Sequence, residues 1–584
     1  MSMERKPVDP VTVEIIRNGL IAVTEEMKTN LMRTAYNLIV YEALDFTVGL
    51  FTATGDTISI GLGLPMFIRG MAETVKAKIK HFGPDGIYPG DILVTNDGYI
   101  TGSHLNHVTF TMPYFHGGKL VGFGCCMAHW LDVGGMRGAV STDIYSEGLQ
   151  IPMVKYRKAG IVNQDIVDII RMNCRLPDFA MGDLRAQVTA LTTGERRFLE
   201  LVERYGADAV AGSVVTIMDQ TEAEARANTL SIPDGVYEAE SFMDDDGLDL
   251  GKRVPIRVKV VVKGDRMTID LSEVSAQVRG FYNSGPATGI ACAQVAYKCL
   301  TTPTNYPLNE GSFRSLDVVM PLGRVISAVR PAPLQNWMSF PMTVIDTVFK
   351  ALAPAIPDRV IAGHHADLVI AQIHGVTPEG NLFISHLGPV GGGWGAKSSE
   401  DGVSVTVCIN DGDTHNTPSE QVEAKFPLLI ERYELRRDSG GAGLRRGGLG
   451  ADYAVTALCA MQLNTRIERK FCPPWGLYDG GAGAGNSIEL RTDGKWADNP
   501  PNAKLMAQRL KKGDGFMIRS GGGGGFGDPH ERPPERVALD VVEGYVSAEA
   551  AAADYGVVVD AATGKIDQDA TAKLRAAPAE RKAS

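Results

Sequence analysis

From 96 to 135 the chain reads NDGYITGSHLNHVTFTMPYFHGGKLVGFGCCMAHWLDVGG. This stretch carries His104, His107, His116 and His129, four of only eleven histidines. Imidazoles at this density, beside the carboxylates Asp97 and Asp132, are donors suited to a divalent ion of borderline softness: Zn2+, Mn2+ or Fe2+. The competing reading is plainer. A lone histidine is more often a surface group or a hydrogen-bonded core residue than a ligand. Convergence decides between the two, so the elements that position the rings carry the question.

VTFTMPYF and KLVGFGCCMAH are strand-like runs joined by HGGK. A two-residue turn at Gly117-Gly118 makes them a hairpin, with His107 opposite Ala128 and His129 opposite Asn106. Paired Cα atoms across such a ladder lie ~4.5–5.5 Å apart, so His129 returns to the level of His104 and His107. His104 shares a face with Asn106. His107 lies three residues further on and joins only if 102–106 is a loop or bulge, which TGSH favours. His116 falls at the turn and reads as surface. A second pair, His364 and His365 in GHHAD, would point to opposite sides of a strand and is the weaker metal candidate, with either ring free to line a pocket.

Around this hairpin, Asp9, Pro10 and the series Ile16, Leu20, Val23, Met27, Leu31 predict an N-terminal helix. The pattern DFTVGLFTATGDTISIG predicts a hairpin turning at 54–56. A short helix is expected near 69–82, then the strand DILVTND. Residues 164–228 read as helical. The segment 233–275 reads as strands turning at Lys263-Gly264-Asp265, with a helix near 286–300. Strands and glycine-rich loops are expected from there to a helical end near 533–555.

The length exceeds the ~250–300 residues at which single cores stop growing. We expect an α+β, multi-layer, β-rich chain with mixed sheets and glycine-rich loops. The expected division is 1–230 (with the metal site), 231–390, 391–555 (glycine-rich, β) and a solvated tail at 556–584. The 66 glycines, about one residue in nine against ~7% on average, cluster at 391–395, 439–450, 480–485 and 520–529. They read as tight turns and close backbone packing between β-layers. No GxxxxGK[ST] occurs, no GxGxxG sits in a strand-to-helix unit, and no GxSxG elbow is present. Arg445 and Arg446 in GLRRGG suit either an anion or partner site or a structural role.

A net charge of −11 argues against nucleic-acid binding. The start MSMERKPVDP lacks an apolar signal core, and no apolar run reaches 18 residues, so a cytoplasmic chain with no membrane contact is expected. Eight scattered cysteines without a CxxC pair read as reduced thiols.

Several longer stretches resemble one family, that of hydantoinase B and oxoprolinase. They are DPVTVEIIRNGL, EALDFTVGLFTATGD, NDGYITGSHLNHVT, AHWLDVGG, IYSEGLQIP, THNTPSEQVEAKFPLLIERYELRRDSGGAGLRRGGLG and SGGGGGFGDPHERPPERVALDVVEGYVSAEAAAADYGV. The likeness covers nearly the whole chain. It implies one mononuclear metal site, with Asp45 of ALDF, His104 of SHL and His129 of AHW as ligands. Spacing alone gives no reason to bring Asp45 near His104. The family pattern has Asp where this chain has His107. That change keeps a donor but alters its charge and softness, which bears on both metal and reaction. Asp132 of HWLD also matches a family position, there to orient a ligand histidine or take a proton. Glu147 of YSEGL is a second candidate catalytic carboxylate, weighed against a plain surface role.

The resemblance further implies a division of labour. An A-type ATP-binding subunit phosphorylates the amide or enol oxygen of a small cyclic amide or ketone, and this chain completes the reaction at its metal within a hetero-oligomer. The first expectation is an ATP-dependent hydantoinase, lactamase or oxoprolinase-type hydrolase. The alternatives are a subunit of an acetone- or acetophenone-type carboxylase and a metal-stabilised scaffold without chemistry of its own.

Overall fold

A computed structural model describes residues 8–301, 308–497, 500 and 502–576. The chain forms two compact units with interleaved segments. The first comprises Met1–Tyr237, Arg257–Ile345 and Asn410–His415; the second comprises Glu238–Ile256, Asp346–Ile409 and Asn416–Ser584. No described helix is long and apolar enough to cross a membrane.

The first unit is built on seven strands: β1 (Phe46–Phe51), β2 (Thr57–Gly61), β3 (Ile92–Thr95), β4 (His107–His116), β5 (Lys119–His129), β6 (Val154–Lys158) and β7 (Ile161–Val162). Their order is β2-β1-β5-β4-β3-β6-β7, and every neighbouring pair is antiparallel. The expected β1–β2 hairpin and the strand after it are present.

Alternation along these strands sorts their side chains into two faces. Phe46, Val48 and Leu50 of β1, Cys126 and Ala128 of β5, and Val108, Phe110, Met112 and Tyr114 of β4 belong to one apolar core. That core also takes Ile16, Leu20, Met27 and Leu31 from the helix Pro10–Thr34, and Leu184 and Leu191 from the helix Pro177–Tyr205. Asp9 caps the first of these helices by accepting from the Thr12 N–H at 3.0 Å. The other face carries His107, Thr109 and Thr111 toward the helix Phe67–Phe82. There the fully buried Lys78 ammonium donates to the Leu93 and Thr109 carbonyls and to Thr111 Oγ1 at 3.3, 2.9 and 3.0 Å.

Residues 164–228 are helical as read, in Gln164–Asn173, Pro177–Tyr205 and Ala207–Thr229. The later strands Val254–Lys263 and Arg266–Asp270 pair antiparallel, while Arg266–Asp270 and Leu316–Val319 pair parallel, so that sheet is mixed. One expectation fails here. The helix Ser339–Leu352 falls where strands and loops were expected. Its residues 342–349 are buried, yet Ser339, Thr343, Asp346, Thr347 and Lys350 recur at helical spacing, so the helix was open to reading and its β-branched residues drew the strand expectation instead.

The second unit holds a four-stranded and a five-stranded sheet, with the glycine clusters between strands. Here the packing is backbone on backbone. Gly523 donates to the Gly448 carbonyl at 2.9 Å and accepts from the Gly441 N–H at 2.8 Å. A Cβ on Gly523 would lie 1.9 Å from the Trp394 carbonyl oxygen. Arg446 is buried and structural: its backbone N–H donates to Asp401 at 2.7 Å, and its Nε lies 3.6 Å from Asp540. The solvated tail expected from 556 needs correction. Val557 and Val559 are buried with Val537, Val541 and Tyr555 in a small core, and Gln568–Ala576 is helical. Residues 577–584 lie outside the described residues.

Candidate metal centre

The hairpin that carries the histidines turns at Gly117-Gly118 as read, with His116 paired to Lys119 beside that turn. Further along, the register differs from the one expected. Phe115 pairs with Leu120 and Tyr114 with Gly122, which leaves Val121 as an extra residue in β5. This bulge advances the ladder by one, so His107 pairs directly with His129 rather than with Ala128. Both rings therefore leave the sheet on one face. His104 precedes the strand in a turn closed by the His107 N–H donating to the His104 carbonyl at 3.1 Å. That is the loop His107 needed in order to join. Asn106 fastens the turn to β5: its carbonyl accepts from Trp130 N–H, and its side-chain amide donates to the Trp130 carbonyl, both at 2.8 Å.

Asp45 arrives from the other side of β5. The register Phe46 to Ala128 sets Asp45 opposite His129, and the His129 N–H donates to the Asp45 carbonyl at 3.0 Å. Leu44, just before it, has φ +54°, a left-handed conformation costly for a branched side chain. Asp45, His129 and His107 thus stand at the same level on three adjacent strands, β1-β5-β4. Asn37 braces the end of β5, donating through Nδ2 to the His129 carbonyl at 3.0 Å and to Asp183 at 2.6 Å.

The three rings are in mutual contact. Centroids are 4.4 Å apart for His104–His107, 5.0 Å for His104–His129 and 5.1 Å for His107–His129. One ring nitrogen from each lies within 4.8 Å of the others. Donors held ~2.1 Å from one ion in a tetrahedral arrangement stand about 3.4 Å apart, so the rings need to close by no more than roughly 1.4 Å. Asp45 Oδ1 lies 2.9 Å from His107 Nε2. Burial pushes the Asp45 carboxyl up, but the His107 charge and hydrogen bond, together with His129, outweigh it and hold the group below the usual carboxylate range. His107 is buried, whereas the Asp45 side chain keeps 18% of its surface. Phe67 lies edge-on to His107 at 4.6 Å and stacks on Trp337 at 5.7 Å, and Trp337 meets His107 at 5.5 Å. The two aromatic residues form an apolar wall over the imidazoles that no motif announced.

The other candidates make bonds of their own. Asp132 was expected to orient a histidine or move a proton. Its carboxylate instead accepts from Arg137 at 2.9 Å, from Arg175 Nη1 at 2.8 Å and from the Arg175 backbone N–H. These bonds tie the loop after β5 to the segment 174–176. Glu147, the second expected catalytic carboxylate, is buried rather than on the surface. It accepts from Ser141 Oγ at 2.5 Å and from the backbone N–H groups of Leu334 and Gln335 at 3.0 and 2.9 Å. Asp97 caps a short helix through the Tyr99 N–H at 3.1 Å and pairs with Arg330 at 3.2 Å. His364 and His365 belong to the second unit, where His364 Nδ1 lies 3.1 Å from Asp346 and His365 Nε2 lies 3.0 Å from the Thr406 carbonyl.

Comparisons agree with this architecture. A family model for hydantoinase B/oxoprolinase matches residues 9–529. The beta subunit of caprolactamase from Pseudomonas jessenii is 33% identical over 592 residues, spanning 98% of this chain and 99% of its own. The delta subunit of acetophenone carboxylase from Aromatoleum aromaticum is 28% identical over 585 residues, 91% of this chain and 84% of its own. The crystal structure of the ATP-dependent caprolactamase from Pseudomonas jessenii matches with a TM-score of 0.91 at 30% identity, over 98% of this chain and 100% of that one. The family match runs through the histidine hairpin and most of both units, and the chain belongs to the hydantoinase B/oxoprolinase family.

Proposed function

We propose that this chain is the metal-dependent subunit of an ATP-dependent cyclic-amide hydrolase acting on a hydantoin, lactam or oxoproline-like ring. The observation that carries the reading is the convergence of His104, His107 and His129 at one end of the sheet, with the Asp45 carboxylate 2.9 Å from His107. Three imidazoles and one carboxylate form a donor set suited to Zn2+ or Mn2+, with Fe2+ the third candidate. Such an ion, when bound, supplies Lewis acidity and makes water acidic enough to lose a proton near neutral pH. The chain's own part is to hold the four donors on paired strands and to exclude bulk water with Phe67 and Trp337. The hydrogen bond from the His129 N–H keeps Asp45 at the rings.

In this reading ATP use falls to an A-type partner, and the lack of a phosphate-loop sequence in this chain agrees with that division. The caprolactamase relative favours hydrolysis. The acetophenone carboxylase relative supports a second reading, addition of bicarbonate-derived CO2 to an activated ketone. The test is an ATP-coupled assay of this chain with its A-type partner on hydantoin, lactams, 5-oxoproline and acetophenone, each with and without bicarbonate. Ring opening independent of bicarbonate is expected. Product formed only with bicarbonate would favour the carboxylase. Turnover that survives both His104→Ala and His129→Ala would leave a scaffold.

A further inference from the structure

Residues 331–336 run past the imidazole cluster, and every peptide along them is fastened. The Pro331 carbonyl accepts from the Ile144 N–H at 3.0 Å, the Ala332 carbonyl from the Tyr99 hydroxyl at 2.6 Å, and the Pro333 carbonyl from Asn283 Nδ2 at 3.1 Å. The Asn336 N–H donates to the Phe281 carbonyl at 2.9 Å. The two peptides between them present their N–H groups to one carboxylate, that of Glu147. On the opposite side of the same stretch, the Gln335 carbonyl lies 3.1 Å from His104 Nδ1.

A carbonyl oxygen can only accept. At that distance His104 Nδ1 must carry the proton, and in the neutral ring Nε2 then keeps the lone pair. Free histidine favours the opposite tautomer, so the protein has to impose this one. We propose that Glu147 is a positioning residue for the imidazole cluster: by clamping the N–H groups of Leu334 and Gln335 it holds the Gln335 carbonyl on His104 and selects the Nδ1–H tautomer. The value of that selection for ion binding rests on the proposed function, whereas the selection itself does not.

A carboxylate suits this clamp because both of its oxygens accept. Glu147 is 5% exposed, and its charge is met by charge-assisted bonds from the two N–H groups and from the Ser141 hydroxyl. An amide at the same place keeps the volume, but with its oxygen at Oε1 it turns an NH2 toward the Leu334 N–H, which loses one of its two acceptors, and it removes the charge that strengthens every bond of the clamp. Trp337 follows two residues later, so the same clamp also sets the aromatic wall against His107.

The experiment uses the full chain labelled with 15N-histidine and stripped of metal by a chelator. Long-range 1H–15N correlation reads each ring's tautomer, and His104→Gln identifies the signal. Wild type should show His104 as Nδ1–H. In Glu147→Gln the tautomer ratio should shift about tenfold toward a mixture, the worth of one lost hydrogen bond, while Glu147→Asp, which keeps both acceptors, should restore part of the bias. Zinc competition should show the Gln variant ~10–100-fold weaker, as for other groups that orient a ligand histidine. A folded Glu147→Gln protein with an unchanged His104 tautomer overturns the proposal. If that variant does not fold, Ser141→Ala must give a smaller shift in the same direction, and no shift overturns it equally. Wild type that takes up no zinc removes the proposed function, yet the metal-free spectra still decide the role of Glu147.

Discussion

Asp45 and His129 meet because two strands far apart in sequence pair with each other. Local spacing legibly brought His104, His107 and His129 together, since a Gly-Gly hairpin returns one strand along the other. It could not bring in Asp45, whose place depends on β1 pairing with β5 across the 67 residues between Phe51 and Lys119; only the family resemblance pointed to it. Motif position also left the surroundings of two carboxylates open. Asp132 and Glu147 sit in matched stretches, but a sequence does not say which donors will face them, and here these are two arginines and two peptide N–H groups. Replacing His104 or His129 by Ala should lower metal affinity by more than ~100-fold, beyond the loss typical of groups that merely orient a ligand. Chelator competition and mass-spectrometric metal content measure it, with circular dichroism to check the fold. Full metal content in both variants would contradict the ligand assignment.

At the scale of elements, the strands and most helices followed from period and turn residues. The register of β4 against β5 did not. The single extra residue Val121 carries no composition signal, yet it decides that His107 faces His129. Ser339–Leu352 differs, because Ser339, Thr343, Asp346, Thr347 and Lys350 do recur at helical spacing and that helix is legible in the sequence. The helix Phe67–Phe82 offers a test of its own. It places Phe67 over His107 and sinks Lys78 against the sheet. Burial pulls the Lys78 amine down from its usual range to about 7, with a weak opposing pull from Cys125. Between about 7 and the ordinary lysine range the unfolded chain then binds the extra proton, so stability should rise with pH there, by at most ~1.4 kcal/mol per pH unit from this group. The full penalty of burying the charge is present below about 7. Lys78→Met should flatten that slope, which urea midpoints at pH 7 and pH 9 for both proteins would reveal. Parallel slopes would mean that Lys78 stays charged, held by its three acceptors.

At the scale of the whole molecule, the glycine clusters account for much of what composition showed and spacing could not place. They pack backbone against backbone in the second unit, where no side chain fits. Gly523→Ala sets a methyl group 1.9 Å from the Trp394 carbonyl oxygen, and both partners are backbone. The expected cost is above ~4 kcal/mol, at the severe end for single substitutions. A thermal melt and limited proteolysis should show a protein that is largely unfolded, and an unchanged melting temperature would show that this layer yields. The central claim, that one divalent ion is held by Asp45, His104, His107 and His129, is tested most directly by anomalous diffraction from crystals of the full chain grown with zinc or manganese. The account predicts one strong peak per chain, ~2.0–2.2 Å from Asp45 and from the ring nitrogens. A peak elsewhere, or none between these four side chains, would contradict it.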